Sequence, residues 1–330
     1  MSEKKGTILS GMRPTGKLHM GNMFGALDNW VKLQDEYDCF FCVVDWHALT
    51  TSYEETGNIK DSINEMVLDW LSCGIDPEKA VIFKQSDVKA HAELHLLLSM
   101  LTPLSWLERI PTYKEQLKQI EGRNLATYGF LGYPLLQAAD ILLYKANAVP
   151  VGEDQAPHIE FTREIARRVN YLYGQTIFPE PATILNEYKI VPGLDNRKMS
   201  KSYDNVIEIS IHPEEIPGRV RMMITDPGRI RKNDPGNPEI CSIFAFHRIF
   251  NPPGLGNIEV SCRGGEIGCV ECKKDLSSWI QKYLEPVYSK RRELEKDPQK
   301  IRHILEEGKK KAEKVAEGTM EEIRSAMGLG

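Results

Sequence analysis

Two lysines lie three residues apart in a polar segment of the chain, Lys198-Met199-Ser200-Lys201-Ser202, shortly after Pro192 and Gly193. A lysine ammonium group is a compact positive charge with three hydrogen-bond donors. A mobile loop with two such groups suits a reaction in which negative charge grows on triphosphate oxygens in the transition state. A solvated surface loop is the alternative interpretation of such a lysine-rich segment.

A second candidate for phosphate contact lies near the N-terminus, where His19, Gly21 and Asn22 follow the first predicted strand, residues 7–9. These residues fall at the start of a predicted helix, and a helix N-terminus presents free N–H groups and the positive end of its dipole to phosphate. Gly21 lets a nucleotide approach the backbone closely. Residues three apart share a helix face, so we expect His19 and Asn22 to point at the same nucleotide.

Asp140 lies in an apolar helix predicted over residues 133–144. A carboxylate in such company is rarely buried without a partner, and a salt bridge or a helix cap on a neighbouring element is one interpretation. The other is that Asp140 accepts a hydrogen bond from a ligand group that can only donate. Tyr133 and Gln137 share its helix face, at i, i+4 and i+7, and are polar groups that could contact the same ligand.

Four of the seven cysteines, Cys241, Cys262, Cys269 and Cys272, crowd into about a tenth of the chain; we name them the cysteine cluster. An odd total without a signal peptide favours metal over a disulfide framework. Zinc sites usually show two close pairs, whereas only the last two cysteines of the cluster are close. Four thiolates also suit a [4Fe–4S] cluster. Spacing alone leaves iron–sulfur and zinc open.

The order of predicted elements indicates the fold. Short apolar runs, such as residues 39–44, alternate with amphipathic helices through the first half, which predicts a doubly wound, Rossmann-like parallel sheet. A polar stretch near 108–130 reads as an insertion. After residue 205 strand signals fade, and residues 252–272 show no periodicity. We predict an α/β catalytic domain over 1–205, which the end of the C-terminal helix can join, and a smaller all-helical domain over 206–330.

Composition excludes few functions. The 330 residues carry a net charge of −5, so RNA binding would need local basic patches; residues 290–292 and 309–314 are candidates. No apolar run approaches the roughly 18 residues of a membrane helix, and the N-terminus does not resemble a signal peptide. We expect a cytoplasmic protein without a membrane partner.

The lysine-rich pentapeptide and the His19-Met20-Gly21-Asn22 stretch together resemble the two signatures of class I aminoacyl-tRNA synthetases. The second signature is normally His-x-Gly-His, and Asn22 replaces its last histidine, a departure known in the tryptophanyl branch. Residues 44–50, 133–144, 149–155 and 312–329 are similar to bacterial tryptophanyl-tRNA synthetases, so the resemblance covers nearly the whole chain. It implies a homodimer and an anticodon-binding role for the helical domain.

The resemblance also implies which residues meet each substrate. Catalytic roles fall to His19, Asn22, Lys198 and Lys201. The implied ATP-binding residues are Arg13, Thr15, Gly21, Asn22, Gly152, Asp154, Lys198, Met199, Ser200 and Lys201. The implied tryptophan-binding residues are Leu9, Gly11, His47, Tyr133, Gln137, Asp140 and Gln155. A subset of bacterial tryptophanyl enzymes carries a [4Fe–4S] cluster at nearly the spacing of the cysteine cluster, which favours iron–sulfur over zinc.

The implied reaction has no covalent nucleophile. The tryptophan carboxylate attacks the α-phosphate of ATP, pyrophosphate leaves toward Lys198, Lys201 and Mg²⁺, and the 2′-hydroxyl of the terminal adenosine of tRNA(Trp) takes the aminoacyl group. A tyrosyl enzyme is the alternative, because Gln137 is typical of tyrosyl relatives. Leu9 opposes it, since tyrosyl enzymes commonly carry a tyrosine there. A nucleotidylyltransferase and a non-enzymatic RNA-binding paralogue are further alternatives, and neither explains the indole-site segments.

Overall fold

The computed structural model describes residues 4–111, 127–185 and 191–330. Most of the predicted insertion near 108–130 therefore lies outside the described residues. Its described flanks are the helix Leu104–Arg109 and the beginning of the helix Tyr128–Leu143.

A parallel sheet forms the centre of the described chain. Its strands are β1 (Thr7–Met12), β2 (Asp38–Val43), β3 (Ala80–Lys84), β4 (Ala148–Val151) and β5 (Ala182–Leu185). They lie in the order β3-β2-β1-β4-β5, and all pairs are parallel. The strand order reverses between β1 and β4, as in doubly wound folds whose ligands bind at that point. The predicted Rossmann-like α/β fold is confirmed.

Helices cover the sheet and build the C-terminal half. They are α1 (Met20–Asn22), α2 (Asp28–Glu36), α3 (Asp45–Ser52), α4 (Ile59–Ser72), α5 (Ala90–Ser99), α6 (Leu104–Arg109), α7 (Tyr128–Leu143), α8 (Ala156–Tyr173), α9 (Ile216–Met222), α10 (Ser242–Phe250), α11 (Leu255–Arg263), α12 (Cys269–Leu294) and α13 (Pro298–Ala326). A π-helical turn, Met23–Leu27, joins α1 to α2. Within the described ranges, no helix has the length and apolarity needed to span a bilayer.

The sheet is buried on both faces, which explains why its central strands read as continuous apolar runs. Neighbouring strand residues point to opposite faces. On β1, Ile8 joins the hydrophobic cluster that contains Trp30 of α2 and Trp70 of α4. Leu9 joins the cluster on the other face, with Leu142 of α7. The two residues thus fix β1 between two helical layers.

The C-terminal helix α13 begins at an Asp-Pro pair, which is typical of a helix start. The side chain of Asp297 accepts a hydrogen bond from the backbone N–H of Lys300 at 3.3 Å, and Pro298 occupies the first helical position. The cap satisfies one of the free N–H groups of the first turn, and proline there lacks an N–H that would need a partner.

The same helix packs across the sheet along a stripe of small residues. Gly308, Ala312 and Ala316 are buried at intervals of four residues. A Cβ atom on Gly308 would overlap the backbone carbonyl of Ile82 in β3. The apolar spacing along α13 predicts Val315 on the buried face, but Val315 is 39% exposed. At Gly308 the helix therefore approaches β3 more closely than any larger residue would allow. The predicted boundary between two domains at residue 205 stays a prediction.

Two elements were missed from the sequence. Residues 252–272 were predicted to lack periodicity, but they contain α11, in which Ile258 is buried. One buried apolar residue in a nine-residue helix leaves no repeating pattern to detect. Strand β5 lies at the sheet edge, and none of its four side chains is buried. It therefore lacks the apolar run that identified the central strands.

The contact between α13 and β3 predicts that Gly308→Ala destabilises the protein. The added methyl group meets a backbone carbonyl of a central sheet, so the helix must move, at a cost of about 3 kcal/mol. Gly318→Ala is the matched control, because a Cβ there on the same helix meets no atom within 4 Å. It should stabilise by about 0.5–1 kcal/mol. Urea unfolding of both variants measures this, and equal shifts would contradict the close approach.

Candidate active site

The predicted site residues come from segments that follow the carboxyl ends of neighbouring strands. The segment after β1 leads to His19, β2 is followed by His47 in the first turn of α3, and β4 is followed by the turn Glu153–Gln155. Ligands of doubly wound sheets bind at this edge, near the point where the strand order reverses. The fold therefore gathers residues that are far apart in sequence.

Asp140 of α7 is 2% exposed and is surrounded by hydrogen-bond donors. Its Oδ2 lies 2.9 Å from Nε2 of His47, and its Oδ1 lies 2.7 Å from Nδ1 of His91. The Nε2 of Gln85 donates to both oxygens, at 2.8 and 2.9 Å. Asp140 and His47, two of the residues that the resemblance assigns to tryptophan, thus lie in contact, with His47 in the first turn of α3.

The carboxyl group of Asp140 is held in its charged form. Burial opposes the charge, but the neighbouring His91 and the hydrogen bonds from His47 and His91 outweigh burial and hold the pKa of Asp140 below its usual range. A buried ionised acceptor favours any ligand group that donates a hydrogen bond and disfavours one that cannot. This is the chemistry that recognition of an indole N–H requires.

Tyr133 lies near the same cage of donors. Its ring meets the His47 ring edge-on, with centroids 6.2 Å apart, and its hydroxyl lies 3.1 Å from Nε2 of His158. Burial lowers the pKa of His158 to about 4, so this ring is neutral at pH 7. Gln137 is half-buried between Tyr133 and Asp140 on α7. Tyr133 and Asp140 of α7 thus both lie against His47.

The turn after β4 places two further predicted residues. Asp154 is exposed, and its Oδ2 accepts a hydrogen bond from the side chain of Gln155 at 2.9 Å. A Cβ on Gly152 would lie 2.7 Å from Oδ1 of Asp154. Glycine at 152 thus allows the carboxylate to fold over the backbone, where it is open to a solvent-side ligand.

Strand β1 supplies an apolar floor. Leu9 is 3% exposed and belongs to the same hydrophobic cluster as α7. Gly11 points to the same face two residues later. A Cβ on Gly11 would lie 2.7 Å from Cγ1 of Val44. Leu9 offers this face only apolar contact and no hydrogen-bonding group.

The lysine segment, residues 198–202, belongs to a loop that one asparagine holds together. Asn205 is 2% exposed; its Oδ1 accepts from the backbone N–H of Ser200 at 2.7 Å. Its Nδ2 donates to Asp195 Oδ1 at 2.7 Å and to the carbonyl of Lys198 at 3.1 Å. Lys198 itself is exposed. The loop backbone is thus held at Lys198 and Ser200, while the Lys198 side chain remains exposed.

The lysine segment and the His19 turn lie against each other. Backbone hydrogen bonds join Met20 N–H to the Ile207 carbonyl and Ile209 N–H to the Leu18 carbonyl, each at 3.0 Å. A Cβ on Gly21 would lie 3.5 Å from Cβ of Met199. Glycine at 21 therefore keeps the helix start open where the two predicted ATP segments meet.

Lys201 contacts the segment before the turn. Its Nζ donates to the carbonyl of Thr15 at 2.6 Å. Burial, and then the charge of Lys201, lower the pKa of His19 to about 4, so His19 is neutral at pH 7. Asn22 accepts a hydrogen bond from the backbone N–H of His19 at 3.1 Å. Arg13 is exposed nearby, with Nη1 3.4 Å from Oγ1 of Thr51.

Gln85 and His91 are site residues that the sequence did not reveal. Oε1 of Gln85 accepts from the backbone N–H of Trp46 at 3.2 Å, which turns its amide donor toward Asp140. His91 links Asp140 to the hydroxyl of Tyr144, 2.8 Å from Nε2. Gln85 directly follows β3, so a polar residue at a strand end was the available signal. His91 on an apolar helix gave none that separates it from a core histidine.

The cysteine cluster converges in the helical half. Nη1 of Arg229 lies 3.9 Å from the sulfurs of both Cys262 and Cys269. Burial, and then the other cluster thiols, raise the pKa of Cys272 to about 12. Across residues 4–111, 127–185 and 191–330, no group of three or more His, Cys, Asp or Glu side chains is arranged to hold a metal ion. The iron–sulfur prediction and its zinc alternative are not confirmed and stay predictions.

Several residues of the basic runs form ion pairs with acidic neighbours. Arg291 is 2% exposed and pairs with the buried Asp69, so its predicted place in an RNA-facing patch is wrong. Arg292 lies 2.6 Å from Glu295, and Lys310 lies 2.7 Å from Glu307. The positive charge of these three residues is therefore shared with carboxylates of the same protein.

Comparison with known proteins gives a consistent result. The family model of tRNA synthetases class I (W and Y) matches residues 1–285. The tryptophan–tRNA ligase of Thermotoga maritima is 53% identical, with 98% of this chain and 99% of the relative covered. The corresponding ligase of Aquifex aeolicus is 46% identical, with the same coverage.

Solved structures agree with the sequence relatives. The tryptophanyl-tRNA synthetase of Campylobacter jejuni, complexed with ADP and tryptophan, superposes with a TM-score of 0.89 at 36% identity and covers 98% of this chain and 100% of that one. The tyrosyl-tRNA synthetase of Archaeoglobus fulgidus has a TM-score of 0.66 at 19% identity, covering 88% of this chain and 91% of that one, which shows a shared fold alone.

Proposed function

The chain belongs to the class I tRNA synthetases for tryptophan and tyrosine, and on that premise we propose that it is a tryptophan–tRNA ligase. It activates L-tryptophan with ATP to tryptophanyl-adenylate and transfers the aminoacyl group to the 2′-hydroxyl of the terminal adenosine of tRNA(Trp). The observation that carries the proposal is the buried, ionised Asp140 at the carboxyl edge of the sheet, beside an apolar strand face.

The pocket chemistry favours tryptophan over tyrosine. Asp140 is an acceptor-only group at pH 7 and indole N–H is donor-only, so the pair is complementary. Leu9 gives a phenolic hydroxyl no partner on β1. The relatives of 46% and 53% identity described above are tryptophan ligases, whereas the tyrosyl structure is only 19% identical. The tyrosyl alternative is not favoured.

Tryptophan orientation follows from the face around Asp140. Tyr133 lies about two turns and Gln137 about one turn before Asp140 on α7, and both are suited to the α-amino group. Gln155 follows β4, beside Asp154, and is a further candidate for contact with the amino acid. The Asp154 carboxylate is suited to the two ribose hydroxyls of ATP, because a carboxylate offers two acceptor oxygens.

Activation rests on positioning and electrostatics. The carboxylate oxygen of tryptophan forms a bond to the α-phosphorus, and the bond to the pyrophosphate oxygen breaks. Lys198 and Lys201 meet the charge that develops on the leaving group. His19 is neutral, so it contacts phosphate as a hydrogen-bond partner and not as a cation. The Gly21 turn and residues Arg13, Thr15, Met199 and Ser200 border the same space.

Mg²⁺ would supply charge neutralisation on the phosphates and is expected with ATP, because it usually binds through substrate phosphates and waters. No protein side chain is therefore required as a dedicated Mg²⁺ ligand, and the site needs only space for the ion beside the phosphates. A reaction that uses ATP and tRNA is consistent with the cytoplasm, and the resemblance to tryptophanyl-tRNA synthetases is the ground for a homodimer. Residues 206–330 would contact the anticodon side of the tRNA.

We further infer that the cysteine cluster holds a metal group, with [4Fe–4S] favoured over zinc. Burial and the nearby thiols of the other three cysteines raise the pKa of Cys272, and the sulfurs of Cys262 and Cys269 each lie 3.9 Å from Nη1 of Arg229. Four thiolates suit a [4Fe–4S] cluster, whereas zinc sites usually show two close pairs of ligands in the sequence and the cysteine cluster has only one.

The proposed activity is tested by ATP–pyrophosphate exchange with each of the twenty amino acids. Exchange that depends on tryptophan alone is the expected result, because one buried acceptor selects one donor ring. Faster exchange with tyrosine than with tryptophan would show that the chain is a tyrosyl enzyme instead. Exchange with neither would remove the ligase proposal.

Asp140→Ala is predicted to remove amino-acid selection. A site built around a buried polar partner discriminates against analogues lacking it by roughly 10⁴–10⁵, so tryptophan activation should fall steeply while phenylalanine activation stays near its low level. Asp140→Asn keeps an acceptor oxygen and should lose less, roughly 1.5–3 kcal/mol. Pyrophosphate exchange with tryptophan, tyrosine and phenylalanine measures the ratios. An unchanged tryptophan-to-phenylalanine ratio in Asp140→Ala would make Asp140 a structural carboxylate.

Lys201→Ala is predicted to slow adenylate formation far more than it weakens tryptophan binding. Loss of a donor that meets transition-state charge costs roughly 3–4 kcal/mol of barrier. The control is Lys17→Ala, which removes an equal charge from an exposed lysine 3.7 Å from Glu208. Rapid-quench measurement should show a large loss for Lys201→Ala only. Similar rates in both variants would refute the role.

Protein purified anaerobically is predicted to be brown, with a broad band at roughly 400 nm from thiolate–iron chemistry. Cys262→Ser should lose the colour and the iron, whereas Cys73→Ser, outside the cluster, should keep both. Colourless protein with stoichiometric zinc would reject iron–sulfur. Protein without iron or zinc would reject the metal proposal altogether.

A further inference from the structure

We propose that Asp69 is a positioning residue for the nucleotide-binding turn at His19, and that Arg291 connects this carboxylate to the C-terminal helices. The inference rests on the proposed function, because it gives a purpose to a buried ion pair outside the substrate pocket. It assigns to Asp69 no contact with ATP or tryptophan.

Asp69 lies against the backbone that leads into the His19 turn. The residue lies in α4 with no exposed surface. Its Oδ2 accepts a hydrogen bond from the backbone N–H of Leu18 at 2.6 Å. The carbonyl of Leu18 accepts from the N–H of Ile209 at 3.0 Å. Both backbone groups of the residue that precedes His19 are thus held by distant parts of the chain, which fixes the direction in which the turn begins.

Arg291 is the partner that stabilises the negative charge of Asp69. Arg291 of α12 is 2% exposed and donates through Nη1 to Oδ1 of Asp69. It also bonds Glu65 Oε2 at 2.5 Å and Glu295 Oε1 at 2.9 Å. A buried carboxylate without such a partner is strongly destabilising. The helix α12 therefore supplies the charge that lets Asp69 serve the turn.

The negative charge of Asp69 also acts on Lys201 of the lysine segment. Burial lowers the pKa of Lys201, and the negative charges of Glu208 and Asp69 oppose that effect. Burial also raises the pKa of Asp69 to about 6, against the pull of Arg291 and the Leu18 N–H. Asp69 therefore acts on both predicted ATP segments, through a hydrogen bond to one and through its charge on the other.

Glu65 separates a positioning role from a merely structural one. It shares Arg291 with Asp69 and lies one turn earlier on α4, but its side-chain bond to Arg291 lies outside the turn. Removing the Glu65 charge weakens the same ion-pair network and leaves the Leu18 hydrogen bond in place. A structural network would make both acids matter equally for stability and neither matter for ATP.

The test compares Asp69→Ala, Asp69→Asn and Glu65→Gln in the full chain. ATP affinity is measured by titration calorimetry without amino acid, together with the KM values of ATP and tryptophan in exchange and the urea midpoint. Asp69→Ala should weaken ATP binding about 10- to 100-fold, as expected for a lost hydrogen bond to a charged group. The KM for tryptophan should stay within about twofold, because Asp140 and its donors are untouched.

The conservative variant provides the rescue. Asp69→Asn keeps an oxygen for the Leu18 N–H and should bind ATP more tightly than Asp69→Ala. If Asp69→Ala does not fold, Asp69→Asn should still weaken ATP binding more than Glu65→Gln does, because it alone weakens the bond to the turn. Glu65→Gln should lower the urea midpoint and leave ATP affinity unchanged.

Two results would overturn the proposal. One is unchanged ATP affinity in folded Asp69 variants, and the other is an equal loss of affinity in Glu65→Gln. Calorimetry with ATP alone does not depend on the amino acid. A wild-type chain that binds ATP but shows no tryptophan-dependent exchange would therefore refute the proposed function, and the Asp69 comparison would still be decided.

Discussion

The nucleotide-binding side of this protein depends on a short backbone pairing between residues 18–20 and 207–209. It joins the two ATP segments, whose Lys201 and Thr15 lie 186 residues apart in sequence. Such a contact closes a long loop of chain, so it needs support from both sides. Asp69 of α4 accepts a hydrogen bond from the backbone before His19, and Asn205 accepts one from the backbone of the lysine segment at Ser200. These contacts fix the two backbone segments that carry the predicted catalytic side chains.

The amino-acid side depends on a different constraint, a buried negative charge. Asp140 already receives hydrogen bonds from His47, Gln85 and His91. Such a group disfavours ligands that only accept hydrogen bonds or form none, and favours a ring that donates one. If Asp140 has the role proposed for it, the indole N–H of tryptophan joins or displaces one of these donors. His47 is the donor beside Tyr133 and the open face of α7, so it is the one expected to yield.

The sequence predicted what periodicity and local chemistry encode. The parallel strands and the start of α13 follow from apolar runs and an Asp-Pro pair. The proximity of Asp140 to His47 comes from the fold, because no local pattern joins two residues so far apart in sequence. Gln85, His91 and Asp69 were not identified, because a polar residue on a buried helix or at a strand end has the same sequence pattern whether it supports a site or the core. Arg291 was misassigned to a surface patch, since its buried partner Asp69 on α4 comes from another part of the chain.

The most direct test of the account is a crystal structure with tryptophan bound, in which the distance from the indole nitrogen to the Asp140 carboxylate is measured. We predict about 2.7–3.2 Å, the range of a hydrogen bond, with His47 moved or sharing the oxygen. The account would be contradicted if Asp140 kept all its present contacts with His47, Gln85 and His91 while the indole nitrogen bonded another residue.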